Sequence, residues 1–186
     1  MKNLYFLVFM TFFILTSCGG KKAENTKPSI EELQLIISQK EDSLRSFQTE
    51  GKKIPNEKHY ALIQSLLDFY QAYPNDKNAP VCLDKMHMSY SGMGVYHKSI
   101  EIADLILKKY PKYINRAMIL ESQVSNHDIF NLPRDTVKVR YYYSLLLTEN
   151  PKLDKDKKDG IEMRLKHLDL KFDEYIDLIM KEASMK

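Results

Sequence analysis

The chain has no tryptophan, two cysteines in 186 residues and no apolar run long enough to cross a bilayer as a helix. Its longest apolar stretch, Leu4 to Leu15, falls short of the ~20 residues a spanning helix needs. Charge of one dominant sign is also missing: 28 basic residues against 25 acidic ones leave a net charge of +3. The lysines are interleaved with acids, as in Lys152-Leu153-Asp154-Lys155-Asp156-Lys157-Lys158-Asp159. The clustered basic face that nucleic-acid binding requires is absent, so nucleic acid is not an expected partner.

Familiar site chemistry is equally scarce. His59, His87, His97, His127 and His167 have no partner at the H-E-x-x-H spacing that sets two imidazoles on one helix face. Asp154 to Gly160 begins like a calcium loop, but Lys158 stands at the third ligand position and Leu165 where a bidentate glutamate belongs. Ser91-Gly92-Met93-Gly94 is glycine-rich without a phosphate-loop lysine and reads as a turn between helices. No catalytic residue, metal or cofactor is assigned, and the chain is read as a non-enzyme whose polar residues lie spread along helix faces.

What is present begins at the N-terminus. Lys2 precedes the short apolar stretch, which ends in Leu15-Thr16-Ser17-Cys18. A basic start, a short core and small residues before a cysteine form a secretory-signal pattern. The four residues resemble the lipobox of bacterial lipoproteins. The resemblance implies removal of residues 1–17, a diacylglyceryl group on the Cys18 thiol, and two or three acyl chains at about 0.8 kcal/mol per buried methylene. Residues 18–29, with Gly19, Gly20, Lys21 and Lys22, read as a polar tether, and residues 30–186 as the folded domain. The alternatives are an uncleaved anchor and an ordinary signal with a coincidental cysteine. Lys21 and Lys22 stand where some bacteria place an acidic export cluster, which favours the periplasmic face of the outer membrane. Lipidation of Cys18 would leave Cys82 unpaired, as a small buried hydrophobe or, alternatively, in an interchain bridge.

From Ser29 onward the apolar spacing is helical throughout. Ser29-Ile30-Glu31-Glu32 is a capping-box pattern ahead of Leu33, Ile36, Ile37, Leu44 and Phe47, in a helix ending near Gly51. Asn56 can cap a second helix that Pro74 stops. A third runs from about Asn78 to Gly92 and a fourth from about Val95 to Lys109, before Pro111. A closing pair follows Pro151, one helix through Ile161, Leu165 and Leu168, the other through Tyr175, Leu178 and Ile179. Consecutive tyrosines on a helix point about 100° apart, so Tyr141-Tyr142-Tyr143 is no flat stacking platform and at least one belongs to the core.

Three helices end in similar phrases: Tyr70-Gln71-Ala72-Tyr73-Pro74, Leu107-Lys108-Lys109-Tyr110-Pro111 and Leu147-Thr148-Glu149-Asn150-Pro151. The prolines stand 37 and 40 residues apart, near the ~34 of a tetratricopeptide repeat. Set on Pro111, the unit from Pro80 to Tyr113 resembles that family, with Leu83, Tyr90, Gly94 and Tyr96 on its preferred apolar, tyrosine, turn-glycine and second-helix aromatic positions. It departs at His87, which replaces a small glycine, and at Ser99 and Ile106, which replace two alanines. An insertion around Asn131-Leu132-Pro133-Arg134 interrupts the third unit. The resemblance implies an all-α fold, a short right-handed α-solenoid of antiparallel helix pairs with about seven to eight helices and C-terminal capping helices. With the lipobox, the arrangement is similar to short envelope lipoproteins carrying such repeats.

In that family the first helix of each unit lines a concave surface that holds peptide segments. Carried over by position, the lining is Val81, Asp84, Met88 and Ser91 in one unit and Asn115, Met118, Ser122 and Ser125 in the next. These lack the basic residues of the family's carboxylate clamp, so the expected partner is another envelope protein presenting a mildly apolar peptide or helix. A membrane-tethered interaction scaffold follows. The alternative is a constitutive structural subunit of an envelope assembly or transport complex.

Overall fold

The computed structural model describes residues 27–185. Over that span the chain is all-α, with eight α-helices and no strand. They are α1 (Ile30–Thr49), α2 (Asn56–Ala72), α3 (Ala79–Gly92), α4 (Tyr96–Lys109), α5 (Arg116–Ser125), α6 (Thr136–Glu149), α7 (Lys155–Lys166) and α8 (Phe172–Ser184). A π-helical turn, Asn126–Phe130, prolongs α5. The signal segment and Cys18 lie outside the described residues. Among the described helices none is long and apolar enough to cross a membrane.

Local chemistry accounts for the helix ends. Ser29 Oγ accepts from the Glu32 amide at 3.1 Å and the Glu32 carboxylate accepts from the Ser29 amide at 2.8 Å, a complete capping box. α2 starts differently from expectation: Pro55 takes the cap position, Asn56 is the first helical residue, and no side chain caps the helix. Proline's fixed φ, here −64°, suits that entry, and its carbonyl accepts from the Lys58 amide at 3.0 Å. Asp154, in the stretch that begins like a calcium loop, caps α7 by accepting from the Lys157 amide. α7 stops at Lys166, so Leu168 is buried in the α7–α8 turn instead of lying on the helix. Gly94 sits at φ 75° in the α3–α4 turn, where a side chain would be strained.

The turns after α2 and α4 repeat one another. Tyr73 and Tyr110 end their helices with nearly equal dihedrals (φ −134°, ψ 59° and φ −125°, ψ 65°), and their amides bond Phe69 and Ile106. The Asp76 and Tyr113 amides return to the Tyr73 and Tyr110 carbonyls, and the Cys82 and Ile119 amides bond Asn78 and Asn115. Both tyrosine hydroxyls reach back to a proline carbonyl, Tyr73 to Pro28 and Tyr110 to Pro74, each at 2.7 Å. The turn after α4 thereby rests on the turn after α2, which itself rests on the segment ahead of α1. After α6, Asn150 keeps the backbone form (φ −122°, ψ 68°) without the tyrosine. There Arg116 ties the turns together, pairing with both Glu149 carboxylate oxygens and donating to the Leu107 carbonyl at 2.8 Å.

From α1 to α7 each helix packs mainly on its neighbours in sequence, an arrangement compatible with a solenoid of helix pairs. One apolar cluster, around Leu66, Phe69, Leu83, Ile106 and Ile119, joins α1 to α5; a second, around Leu120, Val139, Leu146 and Ile161, joins α5 to α7. Cys82 is buried in the first, and burial pushes its thiol up to about 11, the behaviour of an inert core residue. Of the three consecutive tyrosines, Tyr142 is core and Tyr141 is exposed.

Candidate functional site

Polar residues replace the apolar core where the α3–α4 pair meets α5. His87 on α3 is 3% exposed. Its Nδ1 lies 3.0 Å from the Ser99 carbonyl and 2.8 Å from Ser99 Oγ, and its Nε2 lies 2.8 Å from Ser122 Oγ. A carbonyl only accepts, so these partners assign the proton to Nδ1 and leave Nε2 to accept from Ser122. Burial lowers the His87 pKa below the ordinary histidine value, consistent with that neutral form. The large His87 side chain thus fits because α4 offers the small polar Ser99 opposite it. His87 and Ser99, two of the three positions that depart from the tetratricopeptide resemblance, answer one another.

Next to it, Tyr142 and Gln123 both donate to Asp104 Oδ1, at 2.7 and 2.6 Å, linking α4, α5 and α6. His127, in the π turn, stacks on the Tyr142 ring with centroids 5.7 Å apart, and burial lowers its pKa. Asp128 beside it is held by two arginines. Arg164 donates to both carboxylate oxygens at 2.8 and 2.9 Å, and Arg134 donates to Oδ1 at 2.6 Å. Arg164 also donates to the His167 and Leu170 carbonyls and lies over the Tyr175 ring, so this ion cluster carries the α7–α8 pair.

Above the His87 layer, α3 and α5 run side by side in the same direction, as the paired contacts Asp84 to Asn115 and His87 to Ser122 establish. Between them lies an open cavity of about 430 Å³, within the ~300–1,000 Å³ of ligand pockets. Six of the eight sequence-assigned lining residues border it: Asp84, Met88, Ser91, Asn115, Met118 and Ser122. The other two lie elsewhere. Val81 faces a hollow shared with α1, and Ser125 one shared with α7, its hydroxyl bonded to the Glu121 carbonyl.

The cavity is polarised. Met88 and Met118 form its rim, 62% and 64% exposed. At one end Asp84 Oδ2 accepts from the Tyr113 hydroxyl at 2.8 Å and from Asn115 Nδ2 at 3.1 Å. Burial and the adjacent carboxylate both raise the Tyr113 pKa, keeping it a donor. At the other end Tyr96 and Phe130 stack, centroids 4.9 Å apart and 12° from parallel. Sequence reasoning placed Tyr96 at the start of α4 but missed it and Phe130 as lining. Phe130 arrives through the π turn, which has no periodic signature, whereas Tyr96 follows the turn glycine directly. Among the described residues no cluster of three or more histidine, cysteine or acidic side chains is placed to hold a metal ion.

Compared with protein-family models, with curated proteins and with solved structures, the chain matches none.

Proposed function

We propose that the protein is a membrane-anchored lipoprotein of the bacterial cell envelope. It acts as a protein–protein interaction scaffold, binding a peptide segment of another envelope protein in the groove between α3 and α5 of a tetratricopeptide-like solenoid. The observation that carries this reading is the groove itself: an open apolar trough with two exposed methionines on its rim, side chains that adapt to varied partners. The 37-residue recurrence of turn hydrogen bonds supports the repeat reading, and the Lys2 to Cys18 pattern supports the anchor. The polar groups nearest the groove are engaged in structural bonds, His87 through both ring nitrogens and Asp84 through Oδ2, which favours binding over catalysis. Localisation at the periplasmic face of the outer membrane belongs to the same proposal.

A constitutive structural subunit is the second reading. It is favoured by apolar side chains left open away from the groove, Ile114, Leu132 and Val137 among them.

In-cell crosslinking with affinity purification and mass spectrometry tests the proposal on the intact chain, on Cys18→Ala and on Met88→Glu/Met118→Glu. The scaffold reading expects a defined partner set that Cys18→Ala loses with the membrane and that the methionine variant loses while still anchored. Partners retained by the methionine variant would shift the assignment to the structural-subunit reading. No enrichment in the intact chain would overturn both.

A further inference from the structure

We infer that the groove selects an extended peptide carrying a basic side chain four residues from an apolar one, the basic group docking on Asp84 and the apolar group on the Tyr96–Phe130 end. The inference rests on the binding reading above and specifies its ligand.

Asp84 is the single charged residue bordering the cavity. Two donors, Tyr113 and Asn115, converge on its Oδ2 and fix the side chain, while Oδ1 accepts no hydrogen bond among the described residues. A carboxylate held by one oxygen with the other open is arranged to receive a donor, and no lysine, arginine or histidine of the described chain pairs with it. The unmet charge at the end of an otherwise uncharged trough calls for a cation on the occupant.

The far end carries no charge to meet. It offers the Tyr96 and Phe130 rings with Met88 and Met118 alongside, surfaces suited to an aliphatic or aromatic side chain. From Asp84 to Gly92 the helix rises by about 12 Å at ~1.5 Å per residue. An extended chain covers that distance in three to four residues at ~3.3 Å each. A basic residue and an apolar one four positions apart also project from the same face of an extended strand. The spacing therefore belongs to a short linear segment.

Fluorescence polarisation with the full chain in detergent tests this, using three labelled peptides that are identical except for Lys, Gln or Glu placed four residues before a Phe. The lysine peptide is expected to bind up to about fivefold more tightly than the glutamine peptide, as one partly exposed ion pair allows. The glutamate peptide should bind weakest, and raising salt from low to high should bring the affinities of the lysine and glutamate peptides toward that of the glutamine peptide. Asp84→Asn should remove the preference without abolishing binding. The salt series on the unmutated chain supplies the answer should that variant fold poorly. Equal binding of all three peptides, blocked by Met88→Glu, would overturn the charge inference and leave the groove reading standing. No binding by any of them would overturn the inference and count against the groove as a peptide site.

Discussion

Replacing Arg164 with methionine is expected to cost the fold about 3–5 kcal/mol, the range for removing one partner from a buried ion pair. Arg164 and Asp128 are each 2% exposed. The substitution deletes two charge-assisted bonds to Asp128 and the bonds to the His167 and Leu170 carbonyls. Asp128 would keep one bond from Arg134, itself 15% exposed and close to water. Methionine retains most of the arginine's apolar bulk, so cavity formation adds little and the loss reports the stranded carboxylate. Measured against a typical domain stability of ~5–15 kcal/mol, a cost of this size moves the urea midpoint by one molar or more for ordinary slopes of about 1–3 kcal/mol per molar. The diagnostic variant is Asp128→Ala/Arg164→Met. Removing both buried charges leaves only Arg134, which can turn to solvent, so the double variant should be more stable than Arg164→Met alone. A single-variant loss under about 1 kcal/mol, or a double variant no more stable than the single, would refute the claim that this cluster holds α7 and α8 in place.

Acidification gives a second prediction. Burial lowers the pKa of both His87 and His127 below 6.5, so the unfolded chain takes up these protons first as pH falls, and stability drops below about pH 6.5 at up to roughly 1.4 kcal/mol per pH unit for each group. Asp84 faces His87; Asp104, Asp135 and Lys138 face His127. Equilibrium denaturation at pH 7.5, 6.5 and 5.5 should therefore show a small loss over the first step and a larger one over the second, and a flat profile would contradict the buried neutral assignment. A third prediction concerns the turn-to-turn contact. Tyr110→Phe removes only the hydroxyl that donates to the Pro74 carbonyl and should lower stability by about 1 kcal/mol in a thermal melt.

The helices were readable because their signals are local. Ser29 and Glu32 cap α1 as the sequence pattern implies, and the three proline phrases stop α2, α4 and α6 within a residue or two of their observed ends. Leu168 misled because its spacing continues the helical stripe while the backbone has already turned. The polar layer was illegible for a different reason. His87 and Ser99 lie 12 residues apart, and His87 and Ser122 lie 35 apart, so only the packing of α3, α4 and α5 shows that the residues deviating from the repeat pattern answer one another. The same holds for Asp128, which in sequence is one acid among many and in the fold is clamped between Arg134 and Arg164. Asp84 and Asn115 were assigned to the lining by position alone; their mutual bond, and the open oxygen it leaves, required side chains on neighbouring helices to be placed together.

A partner received by the α3–α5 groove in the cell would lie within reach of a probe on the groove rim. A photoreactive amino acid placed at Met118, on that rim, tests for such a partner directly, with a second placement at Lys108 on α4, which does not border the cavity, as the reference. Irradiation of intact cells should give one or a few discrete adducts from position 118 and none of the same size from position 108. Identical adducts from both positions, or none from position 118, would contradict the account.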